Sequence, residues 1–294
     1  MTSWEGKTRG GVAGYKSFIF IIKYLGLPFA YFVLRFIVIY FLLFSPKGVR
    51  SMYLYFKKIL KYNFFISIIK IIQNYYIFGQ VLIDKLVVLG GFSNKFTYDF
   101  EGEEHLRAMV KDGGILLGAH IGNWEVAGHL LKRLETKINI VMFDREHQRI
   151  KNLLEKSLGK KNLNIIAIKN DFSHLFKIKE VLQNKEMVAI HGDRVFPGTK
   201  SLRCKFLGKN AFFPTGPLYL ASKYGVPVSF VTAMKETNTH YHFYASCPNY
   251  YKYPGNLKKR NEKLKEMLNV YIKEMEKVIY EYPTQWFNYY DFWA

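Results

Sequence analysis

The chain has few cysteines and few acidic residues. Two cysteines, Cys204 and Cys247, occur in 294 residues. This number excludes a disulfide-stapled secreted domain and predicts reduced thiols on a cytoplasmic side. Asp and Glu number 23 against 43 Lys and Arg, which gives a formal charge of +20, and aromatic residues make up 17%. A basic, aromatic-rich chain suits a polyanionic partner, either an anionic membrane or a nucleic acid.

The amino-terminal region contains a long apolar stretch. From Ser17 to Phe44 the only charged residues are Lys23 and Arg35, and Pro28 is expected to divide the stretch into two helices. The second piece, Phe29–Phe44, is 16 residues long, short of the ~20 that a membrane-spanning helix needs. An arginine at the bilayer centre would cost roughly 2.5–3.5 kcal/mol. A helix lodged in the membrane interface is therefore favoured over a span, and a buried core helix is the third possibility.

The sequence divides near Gly90-Gly91. We predict a membrane-associated helical region over residues 1–90, which includes amphipathic helices within Met52–Val88, and a catalytic domain over residues 91–294. In the second region short apolar runs alternate with helix-like segments, which is typical of an α/β fold with a mostly parallel sheet flanked by helices. The predicted strands are Gly114–Ala119, Ile138–Phe143, Leu163–Ile168, Met187–Ile190, Pro227–Ala233 and His240–Tyr244. The predicted helices are Trp124–Leu134, His147–Leu158, Phe172–Leu182, Pro217–Tyr224 and Leu257–Tyr280.

One segment combines a buried strand with acid–base residues. The strand is followed by His120, a turn, the N-capping residue Asn123 and then Glu125. Within one helix, residues five apart would lie about 140° apart, but across a strand-to-helix turn they can meet. The pattern favours His120 as a general base and Glu125 as the carboxylate that orients it. Backbone N–H groups of the turn and helix start could hold an oxyanion.

The histidines of this sequence also have interpretations other than catalysis. A histidine at a strand end is often structural. A metal site made of His120, Glu125 and His129 would not have the His-Glu-x-x-His spacing of a zinc-binding helix, so no metal is predicted. His240 and His242 share one face of a strand and are expected to pack or hydrogen-bond there.

Several blocks in order give the sequence its family resemblance. The stretch from Gly113 to Leu131 resembles the His-x4-acidic block of the lipid A biosynthesis lauroyl/myristoyl acyltransferases, in which Gly-Asn-Trp-Glu follows the histidine, as in Gly122–Glu125. Four later segments resemble further blocks of that family: Phe143–Gly159, Asp193–Gly208, Phe213–Gly225 and Pro283–Asn288. Arg194 and Val195 replace its usual Gln and Asp, and Tyr289, Tyr290 and Asp291 replace its usual basic residues.

The resemblance implies a membrane-bound acyltransferase. It would move a fatty acyl chain from an acyl carrier protein or coenzyme A thioester to a hydroxyl of a lipid A precursor or related lipid, with no cofactor beyond that co-substrate. It also implies a place on the cytoplasmic side of the inner membrane. Expected partners are anionic membrane lipids, the acidic carrier protein or coenzyme A thioester, and the lipid acceptor; nucleic acid is not expected. The expected substrate-binding residues are Asn123, Arg145, Asp193, Arg194, Lys200 and Arg203. Of these, Arg194, Lys200 and Arg203 belong with Lys205 to a basic loop that could hold a phosphate or be solvated.

Two alternatives remain open at the level of sequence. An amine acceptor would present a proton to the same base, so an N-acyltransferase is possible. A non-enzymatic nucleic-acid-binding protein would fit the charge and the aromatic content but leaves the apolar stretch unexplained. Acceptor identity, acyl chain length, donor carrier, mode of anchoring and oligomeric state are not encoded in any motif.

Overall fold

The computed structural model describes residues 12–89, 95–124, 126, 134, 136–143, 163–168, 171, 173–196, 198–253, 255–256 and 259–293. At its centre is a seven-stranded sheet of order β1-β9-β8-β2-β5-β3-β4, and β6 and β7 form a separate antiparallel hairpin. Within the sheet β8 and β9 pair antiparallel, while the other five pairings are parallel. The predicted α/β class with a mostly parallel sheet is confirmed. The strands are β1 Thr97–Glu101, β2 Gly114–Gly118, β3 Ile138–Phe143, β4 Leu163–Ile168, β5 Met187–His191, β6 Ser201–Phe206, β7 Lys209–Pro214, β8 Val228–Lys235 and β9 His240–Ala245.

Eight α-helices lie in the described parts of the chain, besides the one that follows the His120 turn. They are α1 Val12–Tyr24, α2 Gly26–Phe44, α3 Pro46–Tyr53, α4 Phe64–Leu89, α5 Glu103–Met109, α6 Ser173–Gln183, α7 Gly216–Tyr224 and α8 Arg260–Glu281. A π-helical turn, Leu54–Ile59, follows α3. The helix predicted after the His120 turn is described at residues 124 and 126, and the one predicted over His147–Leu158 lies outside the described residues. The apolar stripe predicted for the last helix is buried in α8, from Leu264 to Ile279.

The amino-terminal apolar stretch folds as two helices, as predicted, but the break precedes the proline. It falls at Leu25 and Gly26, where Gly26 adopts a positive φ of 83° that favours glycine. Pro28 lies in the first turn of α2, where backbone N–H groups have no partner within the helix. The proline is therefore tolerated inside the helix that it was expected to interrupt.

Helix α4 has two different halves. Near its start, Phe64, Phe65 and Ile69 are exposed. Its second half packs into the protein and buries polar as well as apolar side chains, among them Gln80 and Asp84. Two helices, Gly26–Phe44 and Phe64–Val88, are long and apolar enough to cross a membrane. The predicted domain boundary falls at residues outside the described ranges.

Candidate active site

The sheet brings His120 and Asp193 together at the carboxyl ends of two neighbouring strands. Strands β2 and β5 are parallel, and Gly118 of β2 is in register with His191 of β5. His120 and Asp193 each lie two residues beyond that matched pair. Their side chains meet, with His120 Nδ1 2.8 Å from Asp193 Oδ1. The crevice beyond the strand ends is the usual place for a site in an open α/β sheet.

The Asp193 carboxylate holds the histidine at two points. Its Oδ2 accepts the backbone N–H of His120 at 3.0 Å, while its Oδ1 faces the ring nitrogen. An ionised carboxylate can only accept hydrogen bonds, so Nδ1 of a neutral His120 must carry the proton. The lone pair then resides on Nε2. Because 17% of the His120 side chain is exposed and only 2% of Asp193, the pair presents the histidine outward and keeps the carboxylate inside.

Burial and charge set the protonation states of this pair. Burial alone would raise the pKa of Asp193, but the charge and hydrogen bond of His120 and the charge of Arg194 hold the pKa of this carboxyl well below its usual range. Burial lowers the pKa of His120, and the attraction of Asp193 only partly opposes this effect. At neutral pH the site therefore holds a neutral imidazole beside an ionised carboxylate. A neutral imidazole is the form that can accept a proton.

A second histidine, His191, lies beside the first and was not predicted as a site residue. The rings of His120 and His191 are 4.5 Å apart at their centroids, and the Trp124 ring packs edge-on against both. Burial and the neighbouring His120 lower the pKa of His191 to about 3. The sequence does carry a signal for this residue. His191-Gly192-Asp193 begins at the last residue of the apolar strand β5, just as Gly118-Ala119-His120 begins at the last residue of β2.

His120, His191 and Asp193 also form a set of possible metal ligands. One ligand atom from each residue lies within 4.8 Å of the others. Two imidazoles and a carboxylate are donors that suit a transition-metal ion. The metal alternative weighed from the sequence used Glu125 and His129, which lie outside the described residues. The absence of a metal from the reaction stays a prediction.

The turn after His120 requires glycine at position 122. Gly122 has φ +63°, and a Cβ there would collide with the carbonyl oxygen of Ala233. The turn is fixed by hydrogen bonds: Gly122 N–H donates to the Gln285 carbonyl at 2.9 Å and Asn123 N–H to the Ala233 carbonyl at 2.7 Å. Since His120 N–H is also engaged, these three N–H groups are not free to bind an oxyanion. The oxyanion donors expected from this segment therefore narrow to the Ile121 N–H and the start of the helix.

The carboxyl-terminal segment Pro283–Asn288 closes the turn from the other side. Phe287 N–H donates to the His120 carbonyl at 2.9 Å, and Ile121 forms an isolated β-bridge with Trp286. Trp286 is fully buried. In the sequence this segment is only one of the blocks of family resemblance, and no residue pattern predicts its contact with the histidine turn.

The predicted substrate-binding residues fall in different places. Asn123 is fully buried; its amide donates to the Tyr241 hydroxyl at 3.0 Å and its Oδ1 accepts the Val126 N–H at 3.2 Å. Arg194 is buried beside the histidines and donates to the Phe287 carbonyl at 3.2 Å. Lys200 and Arg203 are exposed. Glu125 and Arg145 lie outside the described residues.

Arg203 lines a groove on the β6–β7 hairpin, whereas Lys200 directly precedes β6. The volume of the groove is about 540 Å³, and its lining residues are Arg203, Lys205, Gly208, Lys209, Asn210 and Trp293. Three cationic side chains line this groove, so an anionic group would be attracted there.

His240 and His242 bond to Asp99 at 3.1–3.2 Å on the β1–β9 side of the sheet, in line with the prediction that they hydrogen-bond on one strand face.

The chain matches a known protein family over most of its length. A sequence model of the bacterial lipid A biosynthesis acyltransferases matches residues 78–293. No curated protein shows significant similarity to the chain. Among solved structures, the chain matches the 1-acyl-sn-glycerophosphate (LPA) acyltransferase PlsC from Thermotoga maritima at 13% identity, with 85% of this chain and 98% of that one covered. The TM-score of that match is 0.39.

Proposed function

Because the chain belongs to the bacterial lipid A biosynthesis acyltransferase family and is therefore an acyltransferase acting on lipid, we propose that it moves a fatty acyl chain from a thioester to a lipid hydroxyl. The observation that carries this proposal is the His120–Asp193 pair at the carboxyl edge of the sheet. The family match also decides between the enzyme and the nucleic-acid-binding alternative in favour of the enzyme.

In the proposed reaction Nε2 of His120 takes the proton of the acceptor hydroxyl. The hydroxyl oxygen attacks the carbonyl carbon of the thioester and forms a C–O bond. The resulting tetrahedral oxyanion collapses, the C–S bond breaks, and the thiolate leaves with the proton from the imidazolium. The sulfur is a good leaving group and the steps need no oxidant. No serine or cysteine nucleophile is required, since the acceptor attacks directly.

Two carboxylates are assigned to the histidine. Asp193 fixes the tautomer, because its contact with Nδ1 leaves Nε2 as the basic nitrogen. Because Asp193 occupies Nδ1 and Nε2 must accept the proton, the role proposed for Glu125 is to stabilise the charged form of His120 by its negative charge. Arg194 adds a buried positive charge near the pair, suited to the developing negative charge of the thioester oxygen or to a phosphate.

The charge of the chain supports an anionic donor and an anionic membrane. A net charge of +20 would attract acidic lipid headgroups and also an acidic acyl carrier protein. Lys200 and Arg203 are the proposed contacts for a substrate phosphate, because both are exposed, Arg203 lines the basic groove and Lys200 directly precedes β6. No cofactor beyond the acyl thioester is proposed.

We also propose an interfacial rather than a spanning attachment, on the cytoplasmic side of the inner membrane. Exposed aromatic and aliphatic side chains line α1, α2 and the first half of α4, including Phe20, Phe36 and Leu43. Because these three side chains are 60–69% exposed, burial of each in lipid would contribute roughly 1–2 kcal/mol. Arg35 is exposed amid this apolar surface, where its side chain can snorkel to the headgroups from a shallow helix but not from the bilayer centre. The second half of α4 is covered by protein and not by lipid.

Lipid mass spectrometry tests the proposed reaction. Three membrane preparations are compared: one that contains the intact protein, one that lacks it, and one that contains the His120→Ala variant. We expect one acyl chain to be missing from a defined lipid when the protein is absent, and His120→Ala not to restore it. Mild alkali should release that chain, since an ester is labile under conditions in which an amide survives. Acyl carrier protein and coenzyme A thioesters are then supplied separately to the purified protein to identify the donor.

A matched control separates chemistry from folding. His242→Ala removes a histidine that also bonds to an aspartate, Asp99, but on the β1–β9 side of the sheet. It should retain full transfer. Full transfer by folded His120→Ala would refute the mechanism, and an alkali-resistant acyl group would replace the hydroxyl acceptor with an amine.

A further inference from the structure

A buried carboxylate connects the membrane helices to the sheet. Asp84 of α4 is fully buried. It accepts hydrogen bonds from the hydroxyls of Tyr31 on α2 and Tyr241 on β9 and from the ammonium of Lys235 at the end of β8. We call these four residues the Asp84 cluster. A buried charge is stable only when it is paired and hydrogen-bonded, so the cluster fixes α4 relative to two strands.

The Asp84 cluster also determines which way Asn123 points. The Tyr241 hydroxyl gives its only proton to Asp84, so toward Asn123 it can only accept. The amide group of Asn123 must therefore present its NH₂ to Tyr241, at 3.0 Å, and its Oδ1 to Val126 N–H, at 3.2 Å. That second bond caps the helix that follows the His120 turn. Without Asp84 the tyrosine could donate instead, and the capping oxygen would be drawn away from the helix.

A second connection runs through the backbone of Lys235. The Lys235 N–H donates to Gln285 Oε1 at 2.9 Å, and Gln285 Nε2 donates back to the Lys235 carbonyl at 2.7 Å. The Gln285 carbonyl accepts the Gly122 N–H at 2.9 Å. The same α4 helix holds the carboxyl-terminal segment, because Asn74 donates to the carbonyls of Thr284 and Trp286. The turn is thus bonded to α4 from two sides.

Within the Asp84 cluster, we propose that Asp84 and Tyr241 position the catalytic turn, so that the membrane-associated helix is part of the catalytic scaffold and not only an anchor. Tyr31 bonds to the same carboxylate but not to Asn123, and it contributes to stability alone. Tyr241 is the positioning residue that transmits this effect to Asn123. The inference rests on the proposed role of His120, because only a catalytic turn would make its geometry matter for turnover. It predicts a kinetic effect from a residue that does not contact the His120–Asp193 pair.

The matched pair Tyr241→Phe and Tyr31→Phe tests this proposal. Each variant removes one phenol hydroxyl from the same Asp84 carboxylate, so both should lower the midpoint of thermal unfolding to a similar extent. Only the Tyr241 hydroxyl also contacts Asn123; the partners of the Tyr31 hydroxyl are Asp84, Lys235 and the Asn238 carbonyl. We expect Tyr241→Phe to lower kcat by about 10- to 100-fold with KM within twofold, since small displacements of catalytic groups have effects of this size. Tyr31→Phe should stay within twofold in both constants.

A double-mutant cycle gives a second readout that a merely structural role would not move. If Tyr241 acts through Asn123, the kcat of the Asn123→Ala variant should not fall further when Tyr241→Phe is added. Additive losses, equal kcat values for the two Tyr→Phe variants, or an unchanged kcat for Tyr241→Phe would each overturn the proposal. Asp84→Asn is a poor probe, because it leaves Lys235 without its counter-charge and unfolding alone would abolish turnover.

The outcome can be separated from that of the proposed function. An active His120→Ala variant would refute the role of the histidine whatever the tyrosine variants do. An inactive His120→Ala variant together with identical Tyr241→Phe and Tyr31→Phe kinetics would leave the reaction intact and overturn the positioning role alone.

Discussion

Replacement of Asp193 by asparagine tests the described carboxylate of the site with almost no change in shape. The wild-type side chain accepts two hydrogen bonds, one from His120 Nδ1 and one from His120 N–H. Asparagine has one acceptor oxygen and one NH₂ group, so one of these donors must face another donor. An orphaned buried backbone N–H costs about 1–3 kcal/mol. We therefore expect the amide oxygen to keep the backbone bond and the NH₂ to face the ring.

The expected consequence is a change of tautomer. Nδ1 would become the acceptor and Nε2 would carry the proton, which removes the basic lone pair from the side that faces solvent. In the Ser-His-Asp triad the equivalent change lowers kcat by about 10⁴-fold, which corresponds to roughly 5.5 kcal/mol in the activation barrier. The loss of stability should be smaller, about 1.5–3 kcal/mol for one hydrogen bond to a charged group. The protein would then remain folded at the temperature of the assay.

The assay is the steady-state transfer of a labelled acyl chain from the thioester, measured over a range of pH. In the wild type the acid limb of kcat/KM should lie below pH 6.5, because burial lowers the pKa of His120. In Asp193→Asn the limb of any residual activity should move lower still, since the carboxylate that favours the imidazolium is gone. Asp99→Asn, which alters an exposed carboxylate bonded to His240 and His242, is the control and should behave as wild type.

A folded Asp193→Asn variant that keeps its activity within about tenfold of wild type would refute this reasoning. Comparison with Glu125→Gln then assigns the orienting carboxylate. If Glu125→Gln is inactive and Asp193→Asn is active, the motif partner expected from the sequence holds the histidine during turnover. If both are inactive, both carboxylates are needed.

Three further predictions concern stability and membrane attachment. His191 has a pKa of about 3 in the folded chain and about 6.5 when unfolded, so the folded state should lose about 3 kcal/mol between pH 6.5 and pH 4; urea unfolding of His191→Gln should show a flatter pH dependence, and equal slopes would contradict this. Gly122→Ala should lose transfer activity and unfold at lower temperature by calorimetry, because its Cβ meets a carbonyl oxygen of β8 at a positive φ; a variant as stable and active as wild type would show that the turn can relax. Single cysteines at Leu25 and Ser45, the two ends of α2, should both be labelled by a membrane-impermeant thiol reagent from the cytoplasmic side in a Cys247→Ser background, whereas a spanning helix would expose only one of them.

Three strands were predictable because apolar residues dominate them. Strand β2 is buried throughout, β3 and β4 are apolar apart from Asn139 and Asn164, and their bounds match the predictions to within a residue. The strands that were missed have another pattern. Strand β1 carries acidic residues at alternate positions and is exposed there, and the β6–β7 hairpin places lysines on its solvent side. Hydrophobicity alone gives such edge and hairpin strands little weight.

The pairing of His120 with Asp193 was not predictable from spacing along the chain. The two residues are 73 positions apart, and Asp193 was expected only to contact substrate. What joins them is the sheet order, in which β5 lies next to β2 although two strands intervene in sequence. A rule of thumb does follow. When two apolar strands are each followed by acid–base residues at the same distance, the parallel sheet can place those residues side by side.

The apolar helix α4 shows why hydropathy and function must be considered together. By length and composition it qualifies as a membrane span, yet a lone carboxylate in hydrocarbon is costly, and lipid offers no partner for it. The structure supplies partners for Asp84 from α2, β8 and β9. Asn74 and Gln80 of the same helix likewise find partners in the catalytic domain. Polar residues in an apolar helix thus mark the side that faces protein. In this chain that side leads, through Tyr241 and Asn123, to the histidine turn.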